Sequence, residues 1–262
     1  MSTGGAPLTY AGLRAERHGE PDGRPPLVLL HGLGYDRHRW GPLLRELESA
    51  DPGRNVLVLD LPGHGQSPPL DRHGLDDVAT AVHQAVTEAG LTRPVMVGHS
   101  ISGAIVTAYA ATRPVHGVVN IDQPLRVGGF ADLLQRNAHV LRGPDHGTIW
   151  NALIGRMGID TLPPEVRALA RPDAVPAREL LLTYWDELLT SPPAAVEERN
   201  AERLERIASQ GTPYLFITGA EPAPEYRGWL RRALPDVAIA VLPGGGHFPH
   251  LAHPAEVARL LT

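Results

Sequence analysis

Short apolar runs with almost no polar interruption punctuate the first half of the chain. Leu27-Val28-Leu29-Leu30 leads into His31-Gly32-Leu33-Gly34, and Val56-Leu57-Val58-Leu59 leads into Asp60-Leu61-Pro62-Gly63-His64-Gly65. Val95-Met96-Val97 precedes Gly98-His99-Ser100, and Val118-Val119-Asn120-Ile121 precedes Asp122. Runs this short, rich in Val and Leu and closed by turn residues, predict strands buried on both faces, as a parallel sheet requires. Between them the period changes. Leu75, Val78, Ala79, Val82, Ala85, Val86 and Ala89 recur at three- and four-residue spacing, which predicts an amphipathic helix closed by Gly90. A run of small residues from Ile101 to Ala111 predicts a second helix.

The rhythm breaks between residues 123 and 211. That stretch reads as helices over Phe130–Leu141, His146–Met157, Ala177–Leu189 and Ala194–Ser209, separated by joints such as Pro163-Pro164 and Pro192-Pro193. It resumes with a strand at Tyr214-Leu215-Phe216-Ile217, a helix from Glu225 to Leu234, a strand from Val237 to Leu242, and a helix from Pro254 to Leu261 with proline at its start. Strands alternating with helices predict an α/β fold: a mostly parallel, doubly wound sheet with helices on both faces. Residues 1–122 and 212–262 form the expected core, and 123–211 an expected helical cap.

Composition narrows the function classes. A chain of 262 residues, 42% apolar, suits one large α/β domain or a domain with an insertion. The net charge of −5 and the scattered arginines give no reason to expect a nucleic-acid partner. The absence of cysteine excludes disulfides, thiolate catalysis and cysteine metal sites. Met1–Tyr10 lacks a basic region followed by an apolar run, and nowhere are about 18 apolar residues continuous. The expectation is a cytoplasmic protein, monomeric or homodimeric, with a small-molecule substrate and no membrane partner.

Chemistry concentrates at Gly98-His99-Ser100-Ile101-Ser102-Gly103, between a predicted strand and a predicted helix. A serine on such a turn projects its oxygen above the carboxyl edge of the sheet, beside the free amides of a helix N-terminus. Read alone, the same serine is a helix cap. His247 follows the last strand through Gly244-Gly245-Gly246 and precedes Phe248-Pro249-His250-Leu251-Ala252-His253-Pro254. A serine hydroxyl is a weak nucleophile at neutral pH. An imidazole, with a pKa of about 6.5, can take its proton and return it to a leaving group. The trio His247, His250 and His253 also raises a metal cluster, but no carboxylate-rich segment accompanies it.

These segments resemble the α/β-hydrolases, whose nucleophile elbow is written G-x-S-x-G and often continues with a second glycine; Ser102 stands in the place of that glycine. The resemblance implies Ser100 as nucleophile and His247 as general base. It makes His31-Gly32-Leu33-Gly34 an oxyanion-hole loop in which the amide of Leu33 pairs with that of Ile101. Asp60-Leu61-Pro62-Gly63-His64-Gly65-Gln66-Ser67 resembles the family's D-x-x-G-x-G-x-S segment, with a loop-shaping role and a loop-bonded or exposed His64. For the acid that orients His247, Glu221 after the strand ending near Gly219 is favoured as the family's commoner position, and Asp122 is the alternative. No metal and no cofactor is expected.

The implied activity is hydrolysis of a carboxylic ester, thioester or lactone of a small to medium, largely apolar substrate through an acyl-enzyme. Carbon–carbon bond hydrolysis and cofactor-free perhydrolysis on the same triad stay open, as does a non-catalytic ligand-binding member of the fold. Phe130, Leu133, Leu134, Trp150, Leu153, Met157, Leu181, Tyr184, Trp185 and Leu188 are the candidates for the cap's apolar face.

Overall fold

The computed structural model describes residues 8–71 and 74–262. The reading of Met1–Tyr10 falls mostly outside them. Eight strands are seen: β1 (Leu8–Tyr10), β2 (Leu13–His18), β3 (Leu27–Leu30), β4 (Val56–Leu59), β5 (Val95–His99), β6 (Gly117–Ile121), β7 (Tyr214–Thr218) and β8 (Ala238–Val241). They form one sheet in the order β1-β2-β4-β3-β5-β6-β7-β8. From β4 to β8 every pairing is parallel, and β2 adds antiparallel to β4.

The predicted buried strands are found, and their alternation sorts them between two cores. Val28 and Leu30, Leu57 and Leu59, Met96 and Val118 face the same apolar cluster as the helices α2 (Leu75–Glu88) and α3 (Ile101–Ala110). Leu27 and Leu29, Val56 and Val58, Val97 and Val119 face the opposite side. There they meet Leu43 and Leu47 of α1 (Gly41–Ala50) and Val257, Ala258 and Leu261 of the C-terminal helix Pro254–Leu261. Successive residues of a strand point to opposite faces, so a four-residue apolar run serves both layers at once.

The β1–β2 hairpin lies outside the predicted set. Its signal is weaker, because only Leu13 and Ala15 of β2 are fully buried while its other residues are partly exposed. Ala11 and Gly12, both at positive φ, make its two-residue turn.

Residues 123–211 contain only helices: α4 (Gly128–Arg136), α5 (Ala138–Arg142), α6 (His146–Ile154), α7 (Pro164–Ala170), α8 (Arg178–Tyr184), α9 (Asp186–Thr190) and α10 (Pro193–Ser209), with a 3-10 turn at Ile159–Thr161. Two predicted helices are divided. Phe130–Leu141 breaks at Asn137, whose side chain donates to the Leu133 carbonyl while its own carbonyl accepts from Val140 and Leu141. Ala177–Leu189 breaks at Trp185, whose buried ring packs against Phe130 and Trp150. Helix α7, starting within the Pro163-Pro164 joint, was not expected; proline suits a first helical turn. The long α10 returns along α3, then β7 leads into α11 (Pro224–Ala233) and β8 into the short α12 (Pro249–Ala252) and α13 (Pro254–Leu261). No described helix is long and apolar enough to cross a membrane.

One buried ion pair fixes the loop after β4. The carboxylate of Asp60, fully buried, accepts from the Arg37 guanidinium at 2.6 Å and from the backbone amides of Arg37 and Gln66. A side chain at Gly65 would collide with that carboxylate. Replacing Asp60 with Ala strands a buried guanidinium, so Asp60→Ala is expected to cost roughly 3–5 kcal/mol in a denaturant titration. The control Asp173→Ala breaks the pair between Arg39 and an Asp173 that is 86% exposed. It is expected to cost about 1 kcal/mol or less.

Candidate active site

Three parallel neighbours, β5, β6 and β7, deliver Ser100, Asp122 and Thr218 to the same edge of the sheet. Ser100 sits between β5 and α3 with φ 53° and ψ −132°, a conformation that costs a non-glycine residue roughly 1–3 kcal/mol. The surroundings hold it there. Its N–H donates to the Ile121 carbonyl at 2.9 Å, and its carbonyl accepts from Gly103 at 2.6 Å. A Cβ at Gly98 would lie 2.1 Å from the Ser102 carbonyl oxygen, and one at Gly103 would lie 2.3 Å from Asn120 Oδ1. Both glycines are therefore demanded by close approach. Ser102, the departure from the family pattern, is fully buried and donates from Oγ to the His31 carbonyl at 2.5 Å. It ties the serine turn to the loop after β3.

That loop passes directly against the serine: a Cβ on Gly32 would be 3.1 Å from Ser100 Cβ. His31 stays inside the loop. Its Nε2 accepts from the Leu61 amide at 3.0 Å, so the proton sits on Nδ1, which donates to the Gly32 carbonyl at 2.8 Å. Burial pushes its pKa down, consistent with this neutral role. His64 is buried, not exposed, with Nδ1 3.0 Å from the Pro62 carbonyl and its ring edge-on to His31 and Tyr184.

His247 reaches the same edge from the loop after β8. Gly219, which ends β7, forms an antiparallel bridge with Gly246. A Cβ at Gly219 would fall 2.0 Å from the Gly246 carbonyl oxygen, so only glycine permits this contact. The His247 Nδ1 is 2.8 Å from Asp122 Oδ2, and the other carboxylate oxygen accepts from Thr218 Oγ1 at 2.6 Å. His247 Nε2 is buried without a hydrogen-bond partner. Asp122, like Ser100, is a non-glycine residue at positive φ, 54°.

The carboxylate beside the histidine is thus Asp122, not Glu221, the position that the expectation favoured. Glu221 lies on the exposed side of the loop between β7 and α11, its carboxylate paired with Arg227 of α11. Helix α11 begins at Pro224, three residues after Glu221. The three tail histidines diverge. His247 meets Asp122, His250 is buried against Trp40 and His99, and His253 lies 3.0 Å from the Pro243 carbonyl. Among the described residues no group of three or more side chains is arranged to hold a metal ion.

Ser100, Asp122 and His247 line one cavity of about 380 Å³ together with Leu33 and Ile101. Its remaining wall is mostly apolar. Of the candidates for the insertion's apolar face, Phe130, Trp150, Tyr184, Trp185 and Leu188 line it. Leu134 and Leu181 instead pack fully buried in the large core, while Leu153 and Met157 flank a second opening beside Asp122 and His247. Leu133 is in neither group. The Tyr184 hydroxyl also donates to the Pro62 carbonyl at 2.9 Å, anchoring α8 to the loop after β4. Asn200 of α10, absent from the expected set, closes the polar end of the cavity and donates to the Leu125 carbonyl at 2.8 Å. Thr218 was also missed; a threonine ending an apolar strand gives no sign of which neighbour it will meet.

Comparison with known proteins agrees with this architecture. Residues 27–260 match the model of the "Alpha/beta hydrolase family". A pimeloyl-[acyl-carrier protein] methyl ester esterase of Xanthomonas campestris pv. campestris is 30% identical, over 90% of this chain and 93% of its own. The dihydrolipoyllysine-residue acetyltransferase component of an acetoin cleaving system from Pseudomonas putida is 26% identical over 90% of this chain, which spans 62% of that relative's length. Among solved structures, the enol-lactonase from Burkholderia xenovorans LB400 superposes with a TM-score of 0.74 at 18% identity, covering 97% of each chain. With that family model matching residues 27–260 and the mostly parallel sheet in agreement, the chain belongs to the alpha/beta hydrolase family.

Proposed function

We propose that this protein is a serine hydrolase that cleaves a carboxylic ester, thioester or lactone of a small to medium, largely apolar substrate through an acyl-enzyme. The observation that carries the reading is the state of His247. One ring nitrogen is held at 2.8 Å by Asp122, the other is buried and unpartnered, and the ring shares a cavity with a serine at a strained strand-to-helix turn. A ring oriented by a carboxylate presents its second nitrogen as a base.

In this reading Ser100 is the nucleophile, His247 the general base and Asp122 the orienting acid. As Ser100 Oγ bonds to the carbonyl carbon, its proton passes to His247 Nε2. The carbonyl electrons move onto oxygen, where the Leu33 and Ile101 amides receive them, each such donor being worth about 3–4 kcal/mol. The carbon–leaving-group bond then breaks and the leaving group takes the proton from Nε2. Water repeats the sequence in reverse roles, releasing the acid and restoring Ser100. The insertion at 123–211 acts as a cap, and Phe130, Trp150, Trp185 and Leu188 favour an apolar acyl group in the cavity. The similar protein named as an esterase is in keeping with acyl transfer to water.

A fluorophosphonate probe is expected to label the wild-type chain and to leave Ser100→Ala unlabelled; an unlabelled wild type refutes the reading. For the acid, Asp122→Asn is expected to lower kcat on p-nitrophenyl butyrate by roughly 10³–10⁴-fold, whereas Glu221→Gln stays near wild type. The reverse order returns the role to Glu221. Across p-nitrophenyl esters of rising chain length, kcat/KM is expected to climb by up to about fourfold per methylene, at ~0.8 kcal/mol each, until the cavity is full. A flat or falling series counts against an apolar acyl site.

A further inference from the structure

His99, the residue before the proposed nucleophile, has no part in the chemistry above, yet its ring is buried beside His247. Its Nε2 lies 2.9 Å from the backbone carbonyl oxygen of His247. A carbonyl can only accept, so Nε2 carries the proton and Nδ1 the lone pair. The ring is packed on every side. His250 lies 4.3 Å away between centroids, His247 5.0 Å, Phe248 5.4 Å and Tyr35 6.4 Å, while a Cβ at Gly32 would come within 3.1 Å of its Nδ1. The other polar group of the His247 backbone is also engaged: its N–H donates to the Met157 carbonyl at 3.1 Å. The peptide groups around His247 are therefore gripped from two directions, by the residue preceding Ser100 and by the chain just after α6.

We propose that His99 is a positioning residue that sets the distance between Ser100 and the base, by holding the His247 carbonyl from a ring covalently adjacent to the nucleophile. The assignment rests on the acyl-enzyme reading above. Its physical content is a short mechanical link. Ser100 and His247 come from loops far apart in sequence, and a bond through His99 makes their separation depend on one peptide unit and one hydrogen bond. The link needs a proton on Nε2. Burial, reinforced by the neighbouring imidazoles of His250 and His247, holds the His99 pKa well below the ordinary range. The same cause takes His250 down to about 3. The titratable or charged groups facing His99 are His31, Tyr35 and Arg39 from the segment after β3, and His247 and His250 from the segment after β8. None is a carboxylate in contact with the ring; the bond to the His247 carbonyl favours the protonated form, but burial and the neighbouring imidazoles outweigh it.

The test uses the full chain and three enzymes: wild type, His99→Phe, which keeps a ring but loses the donor, and His99→Gln, which offers an amide N–H near the same place. Turnover of p-nitrophenyl butyrate is expected to show kcat down roughly 10–100-fold in the Phe variant, the cost of an ångström-scale misplacement. KM is expected to change little, because the cavity wall is intact. The Gln variant is expected to recover most of kcat. A Phe variant with kcat within about twofold of wild type, or a Gln variant as impaired as Phe, overturns the assignment. Should the Phe variant fail to fold, nitrogen-15 spectra of the wild-type imidazoles decide. His99 is expected to carry its proton on Nε2 at the assay pH, and an Nδ1–H tautomer there overturns the proposal. Fluorophosphonate labelling separates the two claims. A wild type that takes no label removes the acyl-enzyme reading and this assignment with it, whereas a labelled wild type beside an unimpaired Phe variant removes this assignment alone.

Discussion

The hydrogen bond between His247 and Asp122 spans 125 residues of sequence, and much of the molecule is arranged so that it can form. Asp122 is available because β6 ends beside β7, where Thr218 takes one carboxylate oxygen and leaves the other for the imidazole. His247 is available because Gly219 and Gly246 meet without side chains between them. Neither side chain is more than about a fifth exposed, so the bond forms where water competes weakly. A sheet built in another strand order would place the same residues at different edges and lose the contact.

Strain and close packing belong to the same arrangement. Ser100 and Asp122 both hold positive φ at the ends of adjacent strands, and each has its amide bonded to the next strand's carbonyl, Ile121 and Ile217 respectively. The ladder continues through the turns and fixes two conformations that would otherwise relax. Behind them His31, His99 and His250 are buried imidazoles whose pKa values all move down, chiefly through loss of solvent. Such rings act as neutral wedges, and those of His31 and His99 also hydrogen-bond to the backbone. They give the loops around Ser100 a rigid floor without adding charge beneath the proposed base.

The insertion is not a detached lid. Its residues Leu134, Leu181, Leu204 and Ile207 share one apolar cluster with α2, α3 and the sheet, and Tyr184 is bonded to the loop after β4. Helix α10 packs on α3 and α11 as a further layer of the core. The cavity is bounded on one side by the sheet edge and on the other by aromatic rings of the insertion, which gives a polar reaction centre an apolar wall.

Composition and pattern alone determined the parallel sheet and most of its strands and helices, and with the family resemblance they pointed to Ser100 and His247 as the two ends of the candidate site. Those features are written in local signals: apolar runs of four, a change of period, and glycines flanking a serine and preceding a histidine. The hairpin of β1 and β2, the breaks at Asn137 and Trp185, and the choice of Asp122 over Glu221 were decided by the tertiary structure. Each depends on a partner distant in sequence. Both carboxylates follow a strand, and nothing in either segment says that one meets the histidine while the other is exposed and paired with Arg227. The same holds for His99, whose role is set by which backbone carbonyl the folded chain carries to its ring.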